Sequence, residues 1–101
     1  MEVFKLYSIV WSKSNVGFVT KKEEVRGTID DYSSVVSITG SDAMYKEDKV
    51  SIKDNRSAYY ITRSSISDND AFNIIKNAMI NKFRQDLLEA QECIDELGKL
   101  N

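Results

Sequence analysis

The sequence predicts an α+β fold: a small antiparallel β-sheet or partial SH3-like barrel over residues of about 2–66, then one long C-terminal α-helix over about 68–98. Up to residue 66, apolar residues recur with the period of two that is typical of strands. Beyond residue 66 they recur with the period near 3.6 that is typical of helices. The chain has 101 residues, which suits one domain with one core. We therefore expect residues 1–101 to form a single domain, with a β-rich body over 1–66 and the helix within 67–101.

Short strands are predicted throughout the first part of the chain. They span residues 3–11, 16–21, 25–29, 35–39, 49–53 and 58–63. The first is apolar on both faces, which is typical of a central or covered strand. Turns rich in Ser, Asn, Asp and Gly are predicted at 12–15, 39–42 and 54–57, a solvated connection at 21–24 and an irregular segment at 43–48.

The helix prediction depends on caps and on spacing. Ser67 or Asp68 provides the N-cap, and Gly98 marks the end. Between them, one apolar series advances by steps of three and four: Phe72, Ile75, Met79, Phe83, Leu87, Ala90, Ile94 and Leu97. The first half also carries a broad apolar face that is predicted to pack on the sheet: Ala71, Phe72, Ile74, Ile75, Ala78, Met79, Ile80 and Phe83. Such a helix is about 45 Å long, which exceeds the size of the β-body beneath it.

The second half of the helix carries a narrow apolar seam. Its residues are Leu87, Ala90, Ile94 and Leu97. A projecting helix with such a seam needs a partner, and a second copy is the commonest one. We therefore predict a homo-oligomer, with a dimer favoured, whose interface contains this seam. The alternative is a bent or shortened helix whose seam lies on its own sheet.

An acidic stripe is predicted beside the seam, formed by Glu89, Glu92 and Glu96. Carboxylates near the C-terminal end of a helix oppose its dipole. The stripe is therefore a candidate surface for a basic partner, and the alternative is a solubilising face.

Several chemistries receive no support from the composition. The chain has no histidine, one cysteine (Cys93), no glycine-rich phosphate loop and a net charge of −2. We expect no enzyme activity, no catalytic residue, no metal site and no cofactor. With a single cysteine and no long apolar run, we expect a cytoplasmic protein without a membrane span.

Residues 55–65, NRSAYYITRSS, suggest a different function. Arginines and tyrosines hold bases and phosphates in many proteins. Strand alternation places Tyr59 with Arg63 on one face and Tyr60 with Arg56 on the other, so at most one pair faces a ligand. The alternative is an ordinary strand whose aromatic side chains pack in the core and whose charged ends face solvent.

The layout of KLYSIVW…GFVTK, VSIKDN…AYYITRSS and one charged C-terminal helix resembles that of small accessory proteins of tailed bacteriophages. The resemblance implies a role in host takeover or anti-defence without catalysis, through binding a host or defence protein or sequestering a nucleotide. We therefore expect a non-enzymatic interaction protein that inhibits a host protein sterically as a homo-oligomer. The alternative is a module that binds a nucleotide or short nucleic acid between sheet and helix or between protomers.

Overall fold

Six strands and one helix make up the computed structural model, which describes residues 1–54 and 56–100. The elements are β1 (Glu2–Ser12), β2 (Gly17–Ile29), β3 (Val35–Ile38), β4 (Met44–Lys46), β5 (Val50–Lys53), β6 (Ser57–Thr62) and α1 (Asp68–Gly98). The strand order is β4-β3-β2-β1-β6-β5, and all neighbouring strands are antiparallel. Because β4 also approaches β5 and β6, the sheet curls into a nearly closed barrel. The predicted α+β fold is confirmed.

Strand β1 lies at the centre of the sheet, between β2 and β6. Its side chains alternate between two cores. Phe4 and Leu6 point into the curled sheet, whereas Tyr7 and Ile9 point toward α1. Both faces of β1 are apolar because each packs in a core, and the predicted central position of this strand is confirmed.

The protein has two buried clusters, one on each side of β1. The cluster between sheet and helix contains Tyr7, Ile9, Ala58, Tyr60, Ala71, Ile75 and Met79. The cluster inside the curled sheet contains Phe4, Leu6, Val36, Tyr45 and Ile61. The helix therefore closes one face of the sheet, while the sheet closes the other by curling on itself.

The second strand is longer than its sequence suggests. We predict two strands, 16–21 and 25–29, separated by a solvated connection at 21–24, and this division is wrong. Residues 21–24 belong to β2, whose residues 17–27 pair with β1. The polar segment gives little local preference for a strand, so pairing with the buried β1 determines its conformation.

The segment predicted to be irregular, 43–48, contains strand β4. Tyr45 is buried there and packs inside the curled sheet, and β4 pairs with β3. Three residues, of which one is buried, give too short a pattern to identify a strand. In the predicted turn at 54–57, Asn55 lies outside the described residues.

The predicted helix bounds agree with the structure. The Ser67 hydroxyl accepts a hydrogen bond from the backbone N–H of Asp70 at 3.1 Å, which is the N-cap interaction, and the helix ends at Gly98. Its buried residues are Ala71, Ile75 and Met79. Two members of the predicted sheet-facing surface, Ile74 and Ile80, are instead each 38% exposed. They lie too far around the helix to reach the sheet.

The helix extends well beyond the β-body. The molecule measures 60 × 35 × 24 Å and has a radius of gyration of 16.9 Å, against about 13 Å for a compact chain of 100 residues. Every residue from Leu87 to Leu100 is exposed. The seam does not fold back onto its own sheet.

Candidate functional site

The projecting part of α1 leaves several large aliphatic side chains in contact with solvent. Leu87, Ile94 and Leu97 are 72%, 61% and 65% exposed, and Ala90 between them is exposed as well. Their spacing places them on one side of the helix. The structure thus brings the four predicted interface residues together as one continuous surface.

The apolar surface continues toward the body through Ile80 and Phe83. Together these residues form a series with steps of three and four, which we call the helix seam: Ile80, Phe83, Leu87, Ala90, Ile94 and Leu97. Alternating steps of three and four are typical of helices that pack against another helix. Sequence reasoning assigned Ile80 to the sheet-facing surface. The regular spacing of Ile80 from Phe83 and Leu87 was the signal that it belongs to the seam.

An open apolar groove lies at the base of the helix seam, between α1 and the hairpin formed by β1 and β2. We call it the hairpin groove. It has a volume of about 340 Å³ and is lined by Ile9, Phe18, Thr20, Lys76, Met79, Ile80 and Phe83. Phe18 is 47% exposed and packs edge-on against Trp11, with ring centroids 5.1 Å apart. No local sequence pattern predicts this groove, because it depends on where the hairpin meets the helix.

Charge is distributed unevenly along α1. Residues 71–85 contain three basic side chains and no acidic one: Lys76, Lys82 and Arg84. Residues 86–98 contain five acidic side chains and no basic one: Asp86, Glu89, Glu92, Asp95 and Glu96. Lys82 bridges the boundary through an ion pair with Asp86 at 2.8 Å. After its acidic first turn, with Asp68 and Asp70, the helix is therefore basic up to residue 85 and acidic where it projects.

The acidic stripe points away from the helix seam. We predicted Glu89, Glu92 and Glu96 beside the seam. In α1 they lie about 130° to 170° around the helix from it, because each residue turns the helix by about 100°. All three are exposed. A partner helix on the seam would leave the stripe accessible.

The two tyrosines of 55–65 belong to different cores. Tyr60 is buried between sheet and helix. Tyr59 packs inside the curled sheet against Tyr45, with ring centroids 5.4 Å apart. The predicted alternation is therefore present, and the structure does not bring the two rings together. Burial raises the pKa of Tyr60 above its ordinary value.

The two arginines of this segment are also separated. Arg63 donates from Nε and Nη2 to the two carboxylate oxygens of Glu47, at 2.6 and 2.7 Å, and from Nη1 to Glu2 at 2.9 Å. The bond to Glu47 raises the pKa of Arg63, and Arg63 in turn lowers the pKa of Glu47. Arg56 is exposed before β6, and its carbonyl accepts a hydrogen bond from the backbone of Trp11.

A second open cavity of about 350 Å³ lies next to Arg63. Its charged lining consists of Glu2, Asp31 and Arg63, and neither Tyr59 nor Tyr60 contributes to it. Arg63 is already paired with Glu2 and Glu47, and Asp31 adds a further carboxylate to the lining, so the cavity repels a phosphate more than it attracts it. The geometry gives this cavity no advantage as a nucleotide site.

Among residues 1–54 and 56–100, no three His, Cys, Asp or Glu side chains are placed to hold a metal ion. Cys93 is an exposed free thiol on the projecting helix. In the described part of the chain, no helix has the length and hydropathy required to cross a membrane.

Comparison of the chain with protein-family models, with curated protein sequences and with solved structures gave no match.

Proposed function

We propose that this chain is a non-enzymatic interaction protein that works as a homo-oligomer, with a dimer favoured. The exposed helix seam carries this proposal. Burying a Leu or Ile side chain contributes about 1.5–3 kcal/mol, and the β-body leaves Leu87, Ile94 and Leu97 in water. A second copy of the seam is the simplest surface that removes all three from water.

The oligomer would act by occupying a surface of another protein. With the seam covered, Glu89, Glu92 and Glu96 still face solvent and offer a negative surface to a basic target. The similarity in layout to small phage accessory proteins makes a host protein in the cytoplasm our proposed target, with steric inhibition as the mechanism. The acidic stripe and the outer surface of the sheet are the two candidate contact regions.

The assembly is tested by measuring the molar mass of the purified chain by light scattering at micromolar concentration. We expect at least a dimer. Ile94→Asp should lower the mass toward that of a monomer, because it places a charge in the buried seam. Gln85→Asp is the matched control, since it introduces the same charge on the side of the helix opposite the seam and should leave the mass unchanged. A monomeric mass for the unmodified chain would refute the proposal.

Target binding is tested by affinity capture from host lysate with the captured molecules identified by mass spectrometry. The matched comparison is a variant in which Glu89, Glu92 and Glu96 are all replaced by Gln, which removes three charges and keeps side-chain size. Loss of a protein captured by the unmodified chain would assign the stripe as the contact surface. Capture by both forms would assign the contact to the sheet.

The nucleotide-binding alternative stays a prediction. It requires Arg63 to exchange its carboxylate partners for a phosphate, or Tyr60 to leave the core. A bound nucleotide would raise the melting temperature of the native protein. If mono-, cyclic and oligonucleotides leave the melting temperature unchanged, both in the unmodified chain and in Arg63→Gln, the result favours a protein partner.

A further inference from the structure

We infer that two copies pair their helices antiparallel, so that the C-terminal end of each α1 lies in the hairpin groove of the other copy. This inference rests on the homo-oligomer proposed above. It specifies the occupant of an apolar groove and the contacts of each seam residue. Three features support it: the register of the seam, the charge distribution along α1 and the shape of the groove.

The helix seam matches itself when one copy is turned end to end. With a two-fold axis passing between residues 88 and 89, each seam residue meets another seam residue. The resulting pairs are Leu87 with Ala90, Phe83 with Ile94, and Ile80 with Leu97 of the second copy. Ala90 occupies the layer next to the axis, where a small side chain lets the helices approach closely. Each of these three pairs occurs twice, once on either side of the axis, which is what an isologous interface requires.

Charge complementarity favours the antiparallel direction. It places residues 92–98 of one helix, which carry three carboxylates and no basic side chain, at the level of residues 79–85 of the other, which contain Lys82 and Arg84. Arg84 then lies within a turn of Asp95 of the second copy. A parallel pair would instead align the two acidic halves and the two helix dipoles with each other.

The hairpin groove has the shape to receive a helix end. Its floor is Met79, Ile80 and Phe83 of α1, and one wall is Phe18 of the hairpin. In the antiparallel register, Leu97 and Leu100 of the second copy arrive at this level. Both are exposed in the single chain, at 65% and 74%. In a parallel pair the β-body of the second copy, rather than a single helix, would have to fit beside the hairpin.

Disulfide trapping tests the direction directly. Cys93→Ser removes the native thiol, and Ile80→Cys or Leu97→Cys is then introduced into separate chains. A disulfide needs Cα atoms about 4.4–6.8 Å apart. The antiparallel register brings residue 80 opposite residue 97, but holds the two copies of either residue about 25 Å apart along the axis. With oxidised glutathione, a mixture of the two chains should form a mixed disulfide dimer, and neither chain alone should cross-link.

Gln85→Cys mixed with Leu97→Cys is the matched control, because residue 85 faces away from the seam and should not cross-link. Circular dichroism confirms that each variant is folded, and light scattering gives its mass before oxidation. Self-linking of Leu97→Cys alone, or a dimeric mass without the mixed disulfide, would overturn the antiparallel inference and leave the proposed oligomer intact. A monomeric mass for the unmodified chain would refute both.

Discussion

The Tyr7 hydroxyl donates a hydrogen bond to Oδ1 of Asp68 at 2.9 Å, which joins the central strand β1 to the first turn of α1 across 61 positions of sequence. Lys22 of β2 reaches the same carboxylate oxygen at 2.9 Å. The ring of Tyr7 is fully buried and packs edge-on against Phe72, with centroids 5.3 Å apart. This arrangement positions the start of α1 on the sheet, and therefore the direction in which the helix projects.

Tyr7→Phe should lower the free energy of unfolding by about 1 kcal/mol, because it removes one hydrogen bond and keeps the ring in the core. Denaturant unfolding at one protein concentration measures the effect, since association would raise the apparent stability at higher concentrations. Tyr32→Phe is the matched control, because Tyr32 is fully exposed in a turn. If Tyr7→Phe and the unmodified chain have equal free energies of unfolding, this hydrogen bond makes no net contribution to stability.

The contribution of Asp68 should disappear in acid. The hydrogen bonds from Lys22 and then Tyr7 lower the pKa of Asp68 below its ordinary value. The unfolded chain therefore binds the proton first as the pH falls, so this stabilisation is complete above about pH 4 and is lost as the pH falls through the folded pKa. Melting temperatures of the unmodified chain and Asp68→Asn should differ at pH 7 and converge toward pH 2.5.

Asp42→Asn serves as the comparison for this pH series, because Asp42 is exposed in a loop. The melting temperature of Asp42→Asn should equal that of the unmodified chain at every pH. A difference between Asp68→Asn and the unmodified chain that stays constant from pH 7 to pH 2.5 would contradict the role assigned to the carboxylate.

Gly27→Ala should destabilise the protein by about 1–3 kcal/mol, as overpacking of a close-packed region does. A Cβ atom at Gly27 would lie 2.5 Å from the backbone oxygen of Ser37, so β2 and β3 would have to separate. Gly17→Ala is the matched control, because its nearest neighbour would be 3.8 Å away. Thermal and denaturant unfolding of the two variants measure the difference, and similar stabilities would contradict the close approach.

The outline of the fold and of the candidate site could be predicted from local patterns. The spacing of Ile75, Met79 and Leu87 identified one uninterrupted helix, and Ser67 and Gly98 gave its limits. The alternation of Tyr59 and Tyr60 placed their rings on opposite faces before any partner was known. These features follow from backbone periodicity, which each segment carries by itself.

The groove, the charge partners and the shorter strands could not be predicted in this way. Residues 21–24 are polar, yet they form part of β2 because the buried β1 lies beside them. Arg63 was a candidate for a phosphate, yet Glu47 and Glu2 bind it from 16 and 61 positions away. A local pattern contains no information about which distant side chain arrives at a given point.

The sequence by itself determined that a helix of about 45 Å carries an apolar seam along its second half, because length and periodicity are local properties of the chain. The tertiary structure alone decided that this seam is exposed and runs into an apolar groove. The contact of α1 with the sheet ends near Phe83, where the hairpin at Phe18 stands beside it. The residue at which this contact ends depends on how far the curled sheet extends under the helix. Only the packing of the whole chain sets that distance.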